Sequence, residues 1–255
     1  ITLLGAGLLS MPEMSRLPNG LSALDALFTS VSAVCVTGLS TFDIATVLTF
    51  KGKVILMVLI QLGGLNFITF TSLFALLANP GVGTRYKSML QASYSAESLE
   101  TSVQLTGQIV RFSLLFEAVS AALLFISWGD QHFATMGDRA FHSIFHAISA
   151  FNNAGFSLYT GGLADASLLG NAPLGLVIAL TVVLGGLGFR PIYEVFSYKA
   201  LKHRRSNPWV HFSVNTKIAV YAIAILVPLG ALLFFILEQH GTLSGQSPAM
   251  ALYHS

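Results

Sequence analysis

A nine-residue pattern centred on a glycine occurs twice in this strongly apolar chain, and the repeat limits the folds that the chain can adopt. The first copy runs from Ser32 to Ser40 and the second from Ser149 to Ser157; both have Ser-Ala at the start, Gly at the seventh position and Ser at the end. Each copy follows a short apolar segment with helical periodicity and precedes a long apolar run. The repeat therefore predicts two equivalent units, each with a break in helical structure at its glycine.

The composition indicates a membrane protein. Of the 255 residues, 54% are hydrophobic and 9% are charged, whereas about a quarter of the residues of a soluble domain are charged. Because a helix needs about twenty apolar residues to cross a bilayer, spans are predicted at 54–77, 108–128, 174–198 and 214–237. The apolar segments 21–34 and 141–151 are too short to cross, so we expect re-entrant helices that end at the two glycine breaks.

The order of these segments predicts an all-α polytopic membrane protein made of repeated units, each with a span, a re-entrant helix, a glycine break and a second span. The predicted organisation is a first unit at 1–78, which opens with the tail of a spanning helix, a cytoplasmic linker at 79–105, a second unit at 106–198, a basic cytoplasmic loop at 199–213 and the start of a third unit at 214–255. We expect the chain to be an internal piece of a longer protein, with the third unit ending in its short helix.

The distribution of lysine and arginine predicts the orientation. The loops at 79–98 and 199–213 contain six basic residues, Arg85, Lys87, Lys199, Lys202, Arg204 and Arg205. By the positive-inside rule both loops are cytoplasmic, so both glycine breaks open to the outside of the cell membrane. Successive units then share one orientation and can surround an axis along the membrane normal. The inverted repeats of many secondary transporters cannot arise in this way.

The glycine breaks predict a path for a cation. Non-helical backbone at membrane depth is tolerated only where it is buried in protein or lines a water-filled cavity, and inward-facing carbonyl groups can replace the hydration shell of an ion. Gly38 and Gly155 provide the dihedral freedom for such a turn, and the C-terminal ends of the short helices carry partial negative charge. Neither break contains a charged side chain, which disfavours an acidic ring. Tight helix packing or a simple loop at the glycines is the alternative.

These residues resemble the first two selectivity-filter segments of the Trk/Ktr/HKT superfamily of potassium transporters. The Asn-Asn-Ala-Gly-Phe-Ser sequence at 152–157 and the Leu-Gly-Gly-Leu sequences at 62–65 and 184–187 are most similar to those of the Ktr membrane subunits. The resemblance implies four non-identical units around a pseudo-fourfold pore axis, with the short segments as pore helices. It also implies that K⁺ is bound by the backbone of six residues, Val36, Thr37, Gly38, Asn153, Ala154 and Gly155. We expect four neighbours to support the filter, namely Cys35, Leu39, Asn152 and Phe156, with the Cys35 side chain packed against the supporting helices.

The same resemblance implies potassium uptake across the cytoplasmic membrane, often with Na⁺ as a coupling ion, a homodimer, and a cytoplasmic regulatory subunit that binds nucleotide (RCK-type). It implies contact with membrane lipid and no nucleic-acid partner. A generic cation channel of related architecture is the alternative within transport. Two departures concern the second spans: Asn66 stands where the second unit has Gly188, and Arg190-Pro191 interrupts a predicted span.

Charged residues within the predicted spans are candidates for gating or for structural pairing. Glu117 lies inside a span, where an ionisable side chain is functional by default. Arg111 is not at helical contact spacing from Glu117, so we expect a partner in another unit. Arg190 and Glu194 are four residues apart and are predicted to pair on one helix, with a gating role as the alternative.

Asp138, His142 and His146 lie at intervals of four residues on one face of the second short helix. This spacing is usable for metal ligands, so an intramembrane metalloenzyme is kept as the alternative to simple packing. The chain contains no nucleotide-binding motif, nucleophile elbow or paired-cysteine metal motif. We therefore do not expect ATP-driven transport by this chain, and we expect a protein that is not an enzyme.

Overall fold

The computed structural model describes residues 1–65, 99–129, 133–165, 168, 171–196, 201–202, 205–207 and 212–238. Within these residues the secondary structure is helical, and the predicted all-α class is confirmed. The helices are α1 (Thr2–Leu9), α2 (Ala23–Val34), α3 (Ile44–Val47), α4 (Phe50–Gly64), α5 (Leu99–Ser127), α6 (Met136–Phe151), α7 (Ala172–Gly186), α8 (Phe189–Phe196) and α9 (Val214–Glu238). Two short 3-10 helices lie at Pro12–Met14 and Gly162–Ala164.

In the part of the chain that the structure describes, two helices are long and apolar enough to cross a membrane, Gly107–Ser127 within α5 and Val214–Leu237 within α9. They agree with the spans predicted at 108–128 and 214–237. Pro228 lies inside α9. The span predicted at 54–77 begins in α4, and its part beyond residue 65 lies outside the described residues, as do Asn66 and the short helix expected near residue 250.

The prediction of one continuous span at 174–198 is wrong. Helix α7 ends at Gly186, and α8 begins at Phe189. Gly188 between them has φ +79°, the left-handed conformation in which helices commonly end. Pro191 is the third residue of α8. The N–H groups in the first turn of a helix have no partner within the helix, so a proline at this position removes no hydrogen bond.

Helix α6 is longer than predicted, because it begins at Met136 and not at Phe141. Thr135 is the cap: its hydroxyl accepts a hydrogen bond from the backbone N–H of Asp138, which satisfies one of the free donors of the first turn. The polar stretch before residue 138 is therefore partly helical.

The chain divides into two compact units, Ile1–Gly186 and Leu187–Ser255. In the first, α2 packs against α1 and α4, and α6 packs in the same way against α5 and α7. Helix α4 also contacts α6, so the two three-helix groups meet. One buried cluster contains Leu9, Leu56 and Ile60 together with Phe145 and Phe156 of the second group. In the unit from Leu187 onwards, α8 packs against α9.

The buried face of α2 is the small-residue face. Ala26, Thr29, Ser30 and Ala33 are buried, and the Ser30 hydroxyl donates a hydrogen bond of 2.8 Å to the carbonyl of Thr2 on α1. The large side chains that reveal the helical periodicity lie on the other side and are exposed (Leu24, Leu27, Phe28 and Val31). Small residues let the helix backbones approach closely, as is common between membrane helices.

Candidate functional site

The first glycine break is held by one buried serine at the end of α2. Ser32 accepts two hydrogen bonds from the loop: its carbonyl receives the backbone N–H of Thr37 at 2.8 Å, and its hydroxyl receives the backbone N–H of Leu39 at 2.9 Å. Between these bonds the chain turns sharply, with φ +57° at Val36 and +78° at Gly38. The loop is therefore fixed to the helix that precedes it.

The second break repeats this backbone. Ser149 is buried at the end of α6; its carbonyl accepts the N–H of Ala154 at 2.7 Å, and its hydroxyl donates to the carbonyl of Phe156 at 2.7 Å. The dihedral φ is +55° at Asn153 and +74° at Gly155. The repeated Ser and Gly of the sequence thus correspond to the residue that ties the loop and the residue that takes the left-handed conformation.

Val36 and Asn153 have a strained backbone conformation that the sequence did not predict. Among the described residues they are the non-glycine residues with positive φ, and for a β-branched residue such as valine this conformation is a genuine outlier. Asparagine adopts the left-handed conformation more readily. The residue type at position 153 was therefore a weak indication of positive φ, whereas the valine at position 36 gave no such indication. Strained backbone of this kind clusters at ligand clamps and active sites, where the surrounding structure enforces it.

The two breaks are in contact. A Cβ atom placed on Gly38 would clash with the carbonyl oxygen of Ala154 and lie 3.0 Å from Cα of Gly155. A Cβ atom on Gly155 would lie 3.5 Å from Cα of Gly38. The structure therefore brings together the two segments, 36–38 and 153–155, that the sequence predicts to bind the ion.

The glycines of the two Leu-Gly-Gly-Leu sequences pack against the C-terminal ends of the short helices α2 and α6. A Cβ atom on Gly63 would lie 2.8 Å from the carbonyl carbon of Val34, and one on Gly185 would lie 2.7 Å from that of Phe151. Val34 and Phe151 are the last residues of α2 and α6. The following glycine on α4, Gly64, lies against the side chain of Asn152. In both groups the missing side chain allows the neighbouring helix to reach the start of the break.

The Asp43 carboxylate joins the two segments that follow the glycine breaks in the sequence. Asp43 Oδ2 accepts hydrogen bonds from the hydroxyls of Thr160, at 2.8 Å, and Thr46, at 2.9 Å, while Oδ1 accepts the N–H of Ala45 at 2.9 Å. Burial of this carboxyl raises its pKa, but the hydrogen bonds outweigh that effect and hold the pKa of Asp43 below its usual range. The Asp43–Thr160 bond is a second contact between the two groups.

The four predicted support residues have different environments. Phe156 is buried, and Asn152 is half-buried and hydrogen-bonded, whereas Leu39 is exposed. The prediction that the Cys35 side chain packs against the supporting helices is wrong, because Cys35 is exposed. Its backbone N–H bonds to the carbonyl of Val31, so Cys35 continues the exposed face of α2.

Glu117 is buried, with 5% of its surface exposed, and its partners are neutral. Its Oε1 accepts hydrogen bonds from the amide groups of Gln61, at 3.0 Å, and Asn152, at 3.2 Å. Arg111 is exposed on the same helix, and in the part of the chain that the structure describes the ion pair found is Lys51–Glu13. The expectation of a partner from another unit is met by Gln61, which is an amide and not a cation.

The predicted pair of Arg190 and Glu194 lies partly outside the described residues, because the side chain of Arg190 is not described. Glu194 Oε2 accepts a hydrogen bond of 3.0 Å from the backbone N–H of Ser213. Of the basic loop at 199–213, the described Lys202 and Arg205 are exposed.

The metal-site alternative at Asp138, His142 and His146 is wrong. Among the described residues no group of three such side chains could hold a metal ion. His146 is buried; its Nδ1 lies 2.8 Å from the carbonyl of His142, and its Nε2 lies 3.4 Å from the N–H of Leu158. Nδ1 therefore donates and Nε2 accepts, which leaves no free lone pair. The Asp138 carboxylate faces Thr135 at the helix cap, so these residues serve packing and capping.

Among the described residues, two helices are long and apolar enough to span a membrane, and two uncharged loops with positive φ are in contact. The comparisons identify the family. The sequence matches the TrkH family model, described as a cation transport protein, over residues 7–240, and the chain therefore belongs to the TrkH family of membrane transporters. The resemblance seen in the sequence is confirmed. Proteins of this kind are transporters and not enzymes, as expected.

Relatives that are similar to this chain include two proteins named Ktr system potassium uptake protein B. The one from Bacillus subtilis is 36% identical over 92% of this chain and 50% of the relative, and the one from Vibrio alginolyticus is 33% identical over 94% and 50%. Potassium/sodium uptake protein NtpJ of Enterococcus hirae is 32% identical over 94% of this chain and 51% of that protein. The chain spans about half the length of these curated relatives.

Proposed function

We propose that this chain forms part of a potassium uptake pathway in the cell membrane, and that K⁺ is selected by backbone carbonyl groups at residues 36–38 and 153–155. The observation that carries the proposal is the contact between the two breaks, since Gly38 approaches Ala154 and Gly155 without room for a side chain. Two loops from different helical groups that meet at their glycines form a common path. The names of the relatives, which refer to potassium uptake, agree with the proposal.

The backbone conformation supports carbonyl coordination. In extended chain successive carbonyls point in opposite directions, and left-handed residues at alternate positions reverse this alternation. Val36 and Gly38 in one loop, and Asn153 and Gly155 in the other, have positive φ, so successive oxygens can face one side. Rings of backbone carbonyls replace the water around a permeating K⁺, and the C-terminal ends of α2 and α6 favour a cation there.

The proposal extends to the whole transporter. Four units of this kind would surround a pseudo-fourfold axis, with the filter open to the outside and the basic loops in the cytoplasm. We include Na⁺ as a coupling ion, because one relative is named a potassium/sodium uptake protein. A homodimer and a cytoplasmic nucleotide-binding (RCK-type) subunit complete the proposal; the exposed Lys202 and Arg205 suit a contact with an acidic surface or with lipid headgroups.

The gating part of the proposal concerns the charged residues of the spans. Glu117 lies directly behind the second break through its bond to Asn152, whereas Arg111 is exposed. Arg190 and Glu194 both lie on α8, as its second and sixth residues. Mutating each to a neutral residue and measuring open probability or uptake rate at saturating K⁺ separates a gating role from a selectivity role.

Replacement of Gly155 by serine tests the ion-binding proposal. The new side chain has room, because the nearest atom to its Cβ is 3.5 Å away, so the protein is expected to fold while the carbonyls shift. Uptake of K⁺ and Na⁺ is measured in cells that lack other potassium uptake systems, and the K⁺/Na⁺ ratio is expected to fall. Gly230→Ser in α9, where nothing lies within 4 Å, is the control. An unchanged ratio in Gly155→Ser would contradict the filter assignment, and a wild type without K⁺ preference would favour a generic cation channel.

A further inference from the structure

Three hydrogen-bonded polar side chains, of which Glu117 is buried and Gln61 and Asn152 are half-buried, form a network next to the second glycine break. Glu117 on α5 accepts hydrogen bonds from Gln61 on α4 and from Asn152, the residue that caps α6 and precedes the break. Asn152 Nδ2 also lies 3.4 Å from Gln61 Oε1 and donates to the carbonyl of Ile148 at 2.9 Å. The three side chains come from both helical groups, so their hydrogen bonds connect α4 of the first group with the loop of the second.

The packing around Asn152 leaves this side chain little freedom. Gly64 on α4 has no side chain, and a Cβ atom there would lie 2.6 Å from Cβ of Asn152. The Asn152 amide therefore fits against the α4 backbone and is aimed at Glu117 and Gln61. The next residue, Asn153, has φ +55°, so the orientation of Asn152 determines where the strained part of the loop begins.

A carboxylate is an expensive choice for a purely structural role at this place. Glu117 is buried within a helix of spanning length, and ionisable groups at membrane depth are costly. Among the described residues, no lysine, arginine or histidine lies within ion-pair distance of it. One oxygen, Oε1, uses its two lone pairs to accept from Gln61 and Asn152 together, so this costly side chain holds both amides.

We propose that Glu117 is a positioning residue for ion discrimination: through Gln61 and Asn152 it sets the conformation of Asn153, Ala154 and Gly155 relative to the first break. This inference rests on the proposed function of those residues as ion ligands. Glu117 does not touch the ion itself; it fixes the residue from which the loop begins. Both amides donate to the same oxygen of Glu117, so one side chain fixes Gln61 and Asn152 together.

The test compares Glu117→Gln, Glu117→Ala and Asn152→Ala in the full-length transporter, with Glu13→Gln as the matched control. Glu13 is an exposed glutamate paired with Lys51 at the surface. In Glu117→Gln one acceptor oxygen remains, and an amide NH₂ takes the place of the other. For uptake, we expect the K⁺/Na⁺ ratio to fall about tenfold in Glu117→Ala, by less in Glu117→Gln, and not at all in the control. The KM for K⁺ should rise in parallel.

A double variant shows whether the two residues act through one connection. If Glu117 acts through Asn152, then Glu117→Ala combined with Asn152→Ala should lose no more discrimination than either single variant, because effects within one network are not additive. Should Glu117→Ala fail to accumulate, the purified Glu117→Gln and Asn152→Ala proteins are tested for stabilisation against heat by K⁺ and by Na⁺, since a bound ion raises the midpoint of unfolding. A weaker preference for K⁺ over Na⁺ in this measurement supports the proposal.

The outcomes are separable from those for the proposed function. If the wild type prefers K⁺ and Gly155→Ser loses that preference, while all Glu117 and Asn152 variants keep the wild-type ratio and KM within twofold, Glu117 is merely structural and the inference is overturned. A lower maximal rate or lower abundance with an unchanged ratio leads to the same conclusion. If Gly155→Ser itself has no effect on the ratio, the proposed function fails first.

Discussion

The contact between the two breaks predicts that their glycines differ in tolerance to alanine, although both have the same backbone conformation. Gly38 has φ +78° and Gly155 has φ +74°, so either replacement costs about 1–2 kcal/mol for the left-handed conformation. At Gly38 the added Cβ would also meet the backbone of the other loop, with the carbonyl carbon of Ala154 at 3.3 Å and its oxygen closer still. At Gly155 the nearest atom is 3.5 Å away, an ordinary contact.

The magnitudes follow from these distances. Overpacking in a close-packed region costs about 1–3 kcal/mol, and here the clashing atoms are backbone, which cannot move without displacing residues 153–155. Gly38→Ala should therefore lose about 2–5 kcal/mol of folding free energy, and Gly155→Ala about 1–2 kcal/mol. The difference is measured as the shift in the midpoint of thermal unfolding of the purified protein in detergent, together with K⁺ uptake in cells.

Gly7→Ala is the control, because nothing lies within 4 Å of a Cβ atom there and the residue is in the interior of α1. In a helix this change is expected to stabilise by about 0.5–1 kcal/mol. Equal destabilisation by Gly38→Ala and Gly155→Ala, or a larger loss at Gly155, would show that the loops are not in contact as described, and the reasoning from the shared path would be refuted.

The contacts around the two breaks can also be perturbed one at a time. Gly185→Ala places a Cβ against the carbonyl of Phe151 and should lower the thermal unfolding midpoint, since overpacking costs about 1–3 kcal/mol. Ser32→Ala leaves the N–H of Leu39 without its acceptor, at a cost of about 1–3 kcal/mol measured in the same way. The lowered pKa of Asp43 stabilises the fold above the unfolded pKa of about 3.9, and this contribution is lost as pH falls through the folded pKa. Asp43→Asn should therefore flatten the dependence of the unfolding midpoint on pH in the acid range.

Matched controls accompany these three variants. Gly230→Ala, in open space inside α9, should not lower the midpoint and, like Gly7→Ala, is expected to stabilise by about 0.5–1 kcal/mol, and Ser10→Ala removes only an exposed bond to the carbonyl of Gly7. Thr160→Val removes one of the hydrogen bonds to Asp43 and should reproduce part of the Asp43→Asn effect. Wild-type unfolding midpoints in Gly185→Ala or Ser32→Ala would contradict the described helix seats and loop ties. An acid dependence unchanged by Asp43→Asn would show that this carboxyl is not linked to folding.

Much of the fold could be predicted because its signals are local. Apolar length located the helices Gly107–Ser127 and Val214–Leu237, and the short segment predicted at 21–34 is the helix Ala23–Val34. The sequence did not show which face of α2 is buried, because large apolar side chains in a membrane protein do not need to point inwards. It also missed the break at Gly188, where the apolar run continues although the residue has positive φ.

The candidate site likewise has features that the sequence predicted and features that it did not. The repeat of Ser and Gly marked both breaks, since the same short-range backbone hydrogen bonds, from Thr37 to Ser32 and from Ala154 to Ser149, form in each. The exposure of Cys35 and the neutral partners of Glu117 were not predictable. They depend on which helices lie beside the loop, and helical spacing within one segment does not contain that information.

The sequence by itself determined that this chain has apolar spans and two matching glycine breaks, because hydrophobic periodicity and glycine spacing act over a few residues. Only the tertiary structure decided that Gly38 lies against Ala154 and Gly155, and that Glu117 meets Gln61 and Asn152. These contacts join residues that are far apart along the chain, so they arise from the packing of α4 against α6 and have no pattern in the sequence alone.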